Sequence, residues 1–230
     1  MRFGGKTCLI TGAAGNLGRA VAKAFAAEGA ALVLADHSAD HLRAAYGAEA
    51  QGTRFAVADL RDAQSVARAI HAGARIDVLC NIAGGFRMGE PVHETSDDTW
   101  DLMLGLNARS VVNCARAVVP GMLAAGGGKI INVGAIAALS GKANMGAYIA
   151  SKSAVIRLTE SMSAELREKG INVNCILPST IDTPQNRKDM PKADPRRWVA
   201  PEALAEVVLF LASDAARAIH GASIPVSGLV

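Results

Sequence analysis

Residues 7–18 read TCLITGAAGNLG, and this stretch decides the fold. Thr7–Thr11 is a short apolar run of strand character. Gly12, Gly15 and Gly18 then recur at three-residue spacing, leading into an Ala-rich helical pattern over 17–28. Glycines at this spacing permit a tight turn. They also let backbone N–H groups approach a pyrophosphate at the N-terminus of the following helix. A turn that was merely flexible would not need to sit between a first strand and a helix, and that setting favours nucleotide binding.

The same grammar continues along the chain. Strand-like segments fall at Thr7–Thr11, Ala31–Ala35, Thr53–Val57, Asp77–Asn81, Lys129–Val133, Asn172–Leu177 and Ser223–Val226. Helical patterns fall at 17–28, 62–73, 97–124, 146–169 and 201–213. Several strands are apolar on both faces, as parallel strands covered by helices on each side must be. The expectation is an α/β protein with a Rossmann-type, doubly wound, seven-stranded, mainly parallel sheet. At 230 residues without a linker, repeat or charged tail, one domain spanning 1–230 is expected. The one long irregular stretch, 178–198, carries Pro184, Pro191 and Pro195 and is expected to be a substrate lid.

Asp36 closes the second strand. A carboxylate there accepts hydrogen bonds from an adenosine ribose and repels a 2′-phosphate. No basic residue lies in the turn between Gly12 and Gly18, so NAD(H) is expected over NADP(H). The competing reading of Asp36 is a plain loop cap, with His37 beside it.

Composition narrows the function classes. The formal charge of +3 is small and scattered, which argues against nucleic acid. The pairs Arg187–Lys188 and Arg196–Arg197 read as a solvated loop. Cys8, Cys80, Cys114 and Cys175 all lie in apolar runs without metal-ligand spacing, consistent with buried reduced thiols. The N-terminus runs straight into a strand and no apolar stretch reaches membrane-spanning length, so a cytoplasmic protein without membrane contact is expected. The five histidines are dispersed, and no metal is expected.

Tyr148 and Lys152, in YIASK, stand one helical turn apart on one face. A lysine ammonium so placed favours a phenolate, bringing a tyrosine closer to the range where it can exchange protons. Alone, such a pair is common on helix surfaces.

Together these features identify the chain as resembling the short-chain dehydrogenase/reductase family over essentially its whole length. The resemblance implies further roles. Gly12, Gly15, Asn16, Leu17 and Gly18 would form the phosphate turn. Asp59 and Leu60, in VADL, would border the adenine. Asn81-Ile82-Ala83-Gly84 matches the family's NNAG at three of four positions and places Asn81, Ala83 and Gly84 near the cofactor. Tyr148 and Lys152 match the catalytic pair, and Asn107 matches an asparagine that feeds a proton relay. Lys152 would also hold the nicotinamide ribose. Pro178, Thr180, Ile181 and Thr183 would line the nicotinamide end. Phe86, Ala135, Ser140, Met145 and Ser179 would bound the substrate pocket.

Two departures stand out. Asn16 occupies a position where single-domain members usually have glycine. Ala135 lies thirteen residues before Tyr148, where the family carries its substrate-orienting serine. A serine-less loop, an aromatic-bearing turn at Gly84-Gly85-Phe86 and the lid from Asp182 to Asp194 resemble a branch of the family, quinonoid dihydropteridine reductase. The leading expectation is reversible hydride transfer between nicotinamide and a small C=O or C=N substrate, with Tyr148 as general acid and base. Dihydropteridine reduction is one alternative, and a nucleotide-binding sensor or scaffold that has lost activity is another. The resemblance also implies a homodimer or homotetramer paired through helices 97–124 and 146–169.

Overall fold

A computed structural model describes residues 1–70 and 75–230. Among the described residues, seven strands form one sheet: β1 (Thr7–Thr11), β2 (Ala31–Asp36), β3 (Thr53–Val57), β4 (Val78–Asn81), β5 (Gly128–Val133), β6 (Ile171–Pro178) and β7 (Ser223–Val226). All neighbouring strands pair in parallel, in the order β3-β2-β1-β4-β5-β6-β7. The order reverses between β1 and β4. Such a switch point opens a crevice at the carboxyl ends of the strands, where ligands bind in sheets of this kind.

The helices are α1 (Asn16–Ala27), α2 (Ala39–Tyr46), α3 (Ala63–Ile70), α4 (Asp97–Leu104), α5 (Ser110–Ala124), α6 (Gly146–Leu166), α7 (Pro184–Asp189) and α8 (Pro201–Ala212). Strand side chains alternate between the two faces of the sheet. On one face Cys8, Ile10, Leu32 and Leu34 share a core with Val21 and Phe25 of α1 and with Leu204 and Val208 of α8. Leu9, Val33 and Ala35 point the other way, into a core with Val66 of α3 and Cys114, Val118 and Met122 of α5. All four cysteines are free and buried, as the sequence suggests. Among the described residues, no helix is long and apolar enough to cross a membrane.

The differences from the sequence expectations are local. The tail of the expected helix 62–73, residues 71–73, lies outside the described residues. The expected helix 97–124 is interrupted by a π-helical turn at Gly105–Arg109, which separates α4 from α5. Such single turns occur inside longer helices, frequently at functional sites, and Asn107 sits in this one. The helix α2 has no counterpart in the expected set, although Ser38 caps it by accepting from the His41 N–H. The expected irregular lid contains α7, whose start combines a Thr183 cap with Pro184 in the first turn.

Candidate active site

The glycine turn is built for close backbone approach. Gly12 has φ of 62°, and a Cβ there would lie 2.8 Å from the Ala83 Cα. A Cβ on Gly18 would run into the Gly12 carbonyl. Side chains at these positions would fill the space between β1, α1 and the turn after β4. The N-terminus of α1 has no side-chain cap, so its first N–H groups, beginning at Asn16 and Leu17, are left for another acceptor. This glycine cradle with an uncapped helix start fits a dinucleotide pyrophosphate.

Two residues outside the expected set brace the cradle. Thr11 Oγ1 accepts from the Ile82 and Ala83 N–H groups at 3.0 and 3.1 Å, locking the turn after β4 onto β1. Tyr46 Oη of α2 donates to the Ala13 carbonyl at 2.6 Å. The signal for Thr11 was present: a polar residue closing an apolar strand just before the first glycine. The signal for Tyr46 depended on recognising α2.

Asp36 is buried at the end of β2. Its Oδ2 accepts from the Ala14 N–H at 3.1 Å, while Oδ1 accepts from the His37 N–H and lies 2.8 Å from His37 Nδ1. The carboxylate is thus oriented toward the cradle by backbone contacts. Asp59, by contrast, spends its carboxylate on the Arg61 guanidinium, which holds it below the usual carboxylate range. Leu60 is buried, and its carbonyl accepts from Asn113 Nδ2. Asn81 also turns inward: its Nδ2 donates to Asn132 Oδ1, and Asn132 Nδ2 donates to Thr159 Oγ1, both at 2.8 Å. That chain ties β4, β5 and α6 together.

On α6, Lys152 is buried and its Nζ donates to the Val133 carbonyl at 2.8 Å. The same Nζ would lie 3.1 Å from a Cβ on Gly84, so it sits at the open end of β4. Burial holds the ammonium down at about 8. Tyr148 is pushed up to about 12, again by burial. The expected lowering of the tyrosine by the lysine is therefore absent here: burial alone sets the direction for Tyr148, and the Lys152 ammonium is directed to the Val133 carbonyl. The Phe86 ring meets the Tyr148 ring edge-on, with centroids 4.8 Å apart.

Asn107 is fully engaged. Its Nδ2 donates to the Gly85 carbonyl at 3.1 Å and to Ser151 Oγ at 2.9 Å, and its Oδ1 accepts from the Gly85 N–H at 2.9 Å. Ser151 Oγ in turn donates to the Tyr148 carbonyl at 2.7 Å. The Asn107 side chain clips the turn after β4 to the helix bearing Tyr148 and Lys152. Ser151, one residue before the lysine, is a positioning residue that sequence reasoning missed.

The remaining expected residues divide. Ala135 is buried just beyond β5, with no side-chain donor to offer. Ser140 is exposed beyond the short 3-10 turn at Ile136–Leu139 and does not replace the missing serine's hydroxyl by any contact. Met145 lines a cavity of about 170 Å³ with Arg87, Met88, Glu90 and Asn144, next to the start of α6. Pro178 ends β6, Ser179 Oγ donates to the Ser227 carbonyl, and the Thr180 carbonyl accepts from the Val199 N–H. Ile181 forms a parallel bridge with Val199. Thr183 Oγ1 caps α7 by accepting from the Asn186 N–H at 3.1 Å, which ties its hydroxyl to the helix start. The arginines of the 178–198 stretch are not merely solvated: Arg187 grips Asp182 through two bonds, and Arg196 grips Asp194.

The chain matches the short chain dehydrogenase family model over residues 6–194. It is 36% identical to D-threitol dehydrogenase of Mycolicibacterium smegmatis, covering 99% of this chain and 93% of that protein. It is 35% identical to the 3-oxoacyl-(acyl-carrier-protein) reductase FabG of Thermotoga maritima, covering 99% of this chain and 98% of that one. Among solved structures, a gluconate 5-dehydrogenase from Burkholderia cenocepacia in complex with NADP and tartrate superposes with a TM-score of 0.90 at 29% identity, covering 99% of this chain and 95% of that chain. A 3-ketoacyl-(acyl-carrier-protein) reductase from Brucella melitensis complexed with NADH superposes with a TM-score of 0.88 at 28% identity, covering 98% of both chains. The chain belongs to the short-chain dehydrogenase/reductase family of oxidoreductases.

Proposed function

We propose that this protein is an NAD(H)-linked oxidoreductase that interconverts a small carbonyl compound and its alcohol, with Tyr148 moving the proton. The observation that carries this reading is the buried Lys152 one turn from Tyr148, at the open end of β4 beside Gly84. A nicotinamide dinucleotide bound at the sheet's switch point would supply the hydride. The glycine turn and the start of α1 would hold its pyrophosphate, Asp36 its adenosine ribose and Lys152 its nicotinamide ribose. Thr180 and Ile181 would border the nicotinamide from the lid side.

In reduction, Tyr148 would give its hydroxyl proton to the carbonyl oxygen. Burial keeps that proton in place until the oxygen needs it. Lys152 would stabilise the phenolate left behind, and the reverse reaction would return the proton to the same oxygen. Phe86 would hold the phenol ring in position and form one wall of the pocket. Carbonyl and alcohol chemistry is supported by the names of the two relatives, a polyol dehydrogenase and a ketoacyl reductase. A preference for NAD(H) is supported by the buried carboxylate of Asp36, which a 2′-phosphate would have to approach.

Ala135 favours one second reading. Without a hydroxyl to polarise a carbonyl, Tyr148 alone would contact the substrate oxygen, and a C=N substrate such as a quinonoid dihydropterin would not need the missing donor. NADH oxidation across ketones, ketoacyl thioesters and quinonoid dihydropterin separates the two. Tyr148-dependent turnover of the carbonyls supports the first, turnover of the pterin alone supports the second, and cofactor binding without any turnover contradicts both. We further propose self-association through α4, α5 and α6, where Trp100 and Leu123 are exposed; a monomeric mass in light scattering would contradict it.

A further inference from the structure

The end of β2 carries more than a ribose carboxylate. His37 follows Asp36 directly, and Ser38 starts α2 so that His41 falls in its first turn. His37 and His41, separated in sequence, meet edge-on with ring centroids 5.0 Å apart. One ligand atom from each of Asp36, His37 and His41 can be chosen so that all lie within 4.8 Å of one another. We propose that these three residues bind a first-row transition-metal dication such as Zn²⁺, and that the bound metal excludes the adenosine half of the cofactor.

The donor chemistry selects the metal. Two imidazoles and one carboxylate suit zinc, nickel or copper, whereas magnesium and calcium prefer all-oxygen sites. Zinc bonds of about 2.0–2.2 Å place tetrahedral ligand atoms roughly 3.3–3.6 Å apart, so the wider separations in the cluster must contract modestly. His37 Nδ1 and Asp36 Oδ1, now 2.8 Å apart in hydrogen-bond contact, would open by about 0.5 Å to admit the ion between them. The adjustment falls mainly on His41, which is exposed and free to change rotamer. The His37 side chain is 72% exposed, leaving room for water in the fourth position.

The carboxylate is also supported as a metal ligand should be. The Ala14 N–H holds Asp36 Oδ2 at 3.1 Å and the His37 N–H holds Oδ1 at 2.9 Å, so that Oδ1 faces the His37 ring. Second contacts of this kind orient first ligands and strengthen binding. Ligation through His37 Nδ1 uses the tautomer that carries its ring proton on Nε2. The four cysteines are buried and offer no competing surface site.

The metal and the ribose would use the same carboxylate, so each must weaken the other by the same factor. This competition rests on the cofactor reading above, whereas metal binding itself does not. The test is calorimetric titration of the tag-free chain with Zn²⁺ in chelator-cleared buffer, with and without saturating NADH. One Zn²⁺ per chain is expected, weakened at least about ten-fold in His37→Ala and in His41→Ala. Zinc binding that survives unchanged in both variants would overturn the site. NADH that binds but leaves zinc affinity unchanged would overturn the competition. Failure of NADH to bind at all would count against the cofactor reading, and the histidine variants would still decide the metal site.

Discussion

The two halves of the crevice are built differently. Around the glycine turn, polar groups are tied to backbone: Thr11 to Ile82 and Ala83, Asp36 to Ala14, Tyr46 to Ala13. Around Tyr148, the surroundings are apolar, with Phe86 against the ring and Ala135 just beyond β5. Lys152 is a buried cation held by a single carbonyl. The first half is a rigid receptor that needs little from its ligand to take shape. The second sets a buried lysine one turn from a partly buried phenol, and burial there raises the cost of charge on both.

Replacing Lys152 with Met should expose that contrast most sharply. Turnover should fall about 10³-fold, since the cation that supports the phenolate is gone. Stability should move the other way. Lys152 is held at about 8, well below its ordinary value, so the unfolded chain binds more protons than the folded one between about 8 and 10.5. The burial penalty is therefore full below pH 8 and fades as pH rises through that window. Its removal should raise the melting temperature at pH 7. A variant that loses both activity and stability would show that Lys152 is structural.

Next in size, Ala135→Ser should increase turnover of simple ketones, by up to about 10²-fold if the hydroxyl reaches the substrate oxygen. No change in kcat/KM would mean that the pocket orients its substrate by other contacts. Asp36→Asn should then shift the NADPH-to-NADH preference about ten-fold toward NADPH while leaving kcat nearly constant, measured by kcat/KM for each cofactor. The smallest effect concerns pH. Because kcat/KM reports groups in the free enzyme, the reductive kcat/KM should decline as pH rises above about 8, where Lys152 loses its charge. A profile flat from pH 7 to 10 would separate turnover from the lysine.

The sequence carried the sheet almost whole, because parallel buried strands are continuous apolar runs and the glycine spacing marks the first crossover. The helix boundaries shifted by a residue or so at α1 and α8, as helix ends commonly do. What was not legible depended on contacts between distant residues. The π-helical turn at Gly105–Arg109 leaves the apolar pattern nearly intact, so 97–124 reads as one helix. The helix α2 is short, and its Ser38 cap was the available cue. The proximity of Tyr148 and Lys152 was legible, but the sign of the tyrosine's shift was not, because desolvation depends on what surrounds the ring. The pairing of His37 with His41 beside Asp36 likewise needed α2 in place.

The most direct test is Tyr148→Phe, with NADH binding and substrate turnover measured on the same preparation. The rigid half should be untouched, so NADH affinity should stay within a few-fold, while turnover should fall by about 10²–10⁴-fold. Turnover retained at the level of the unmodified protein would contradict Tyr148 as the proton donor.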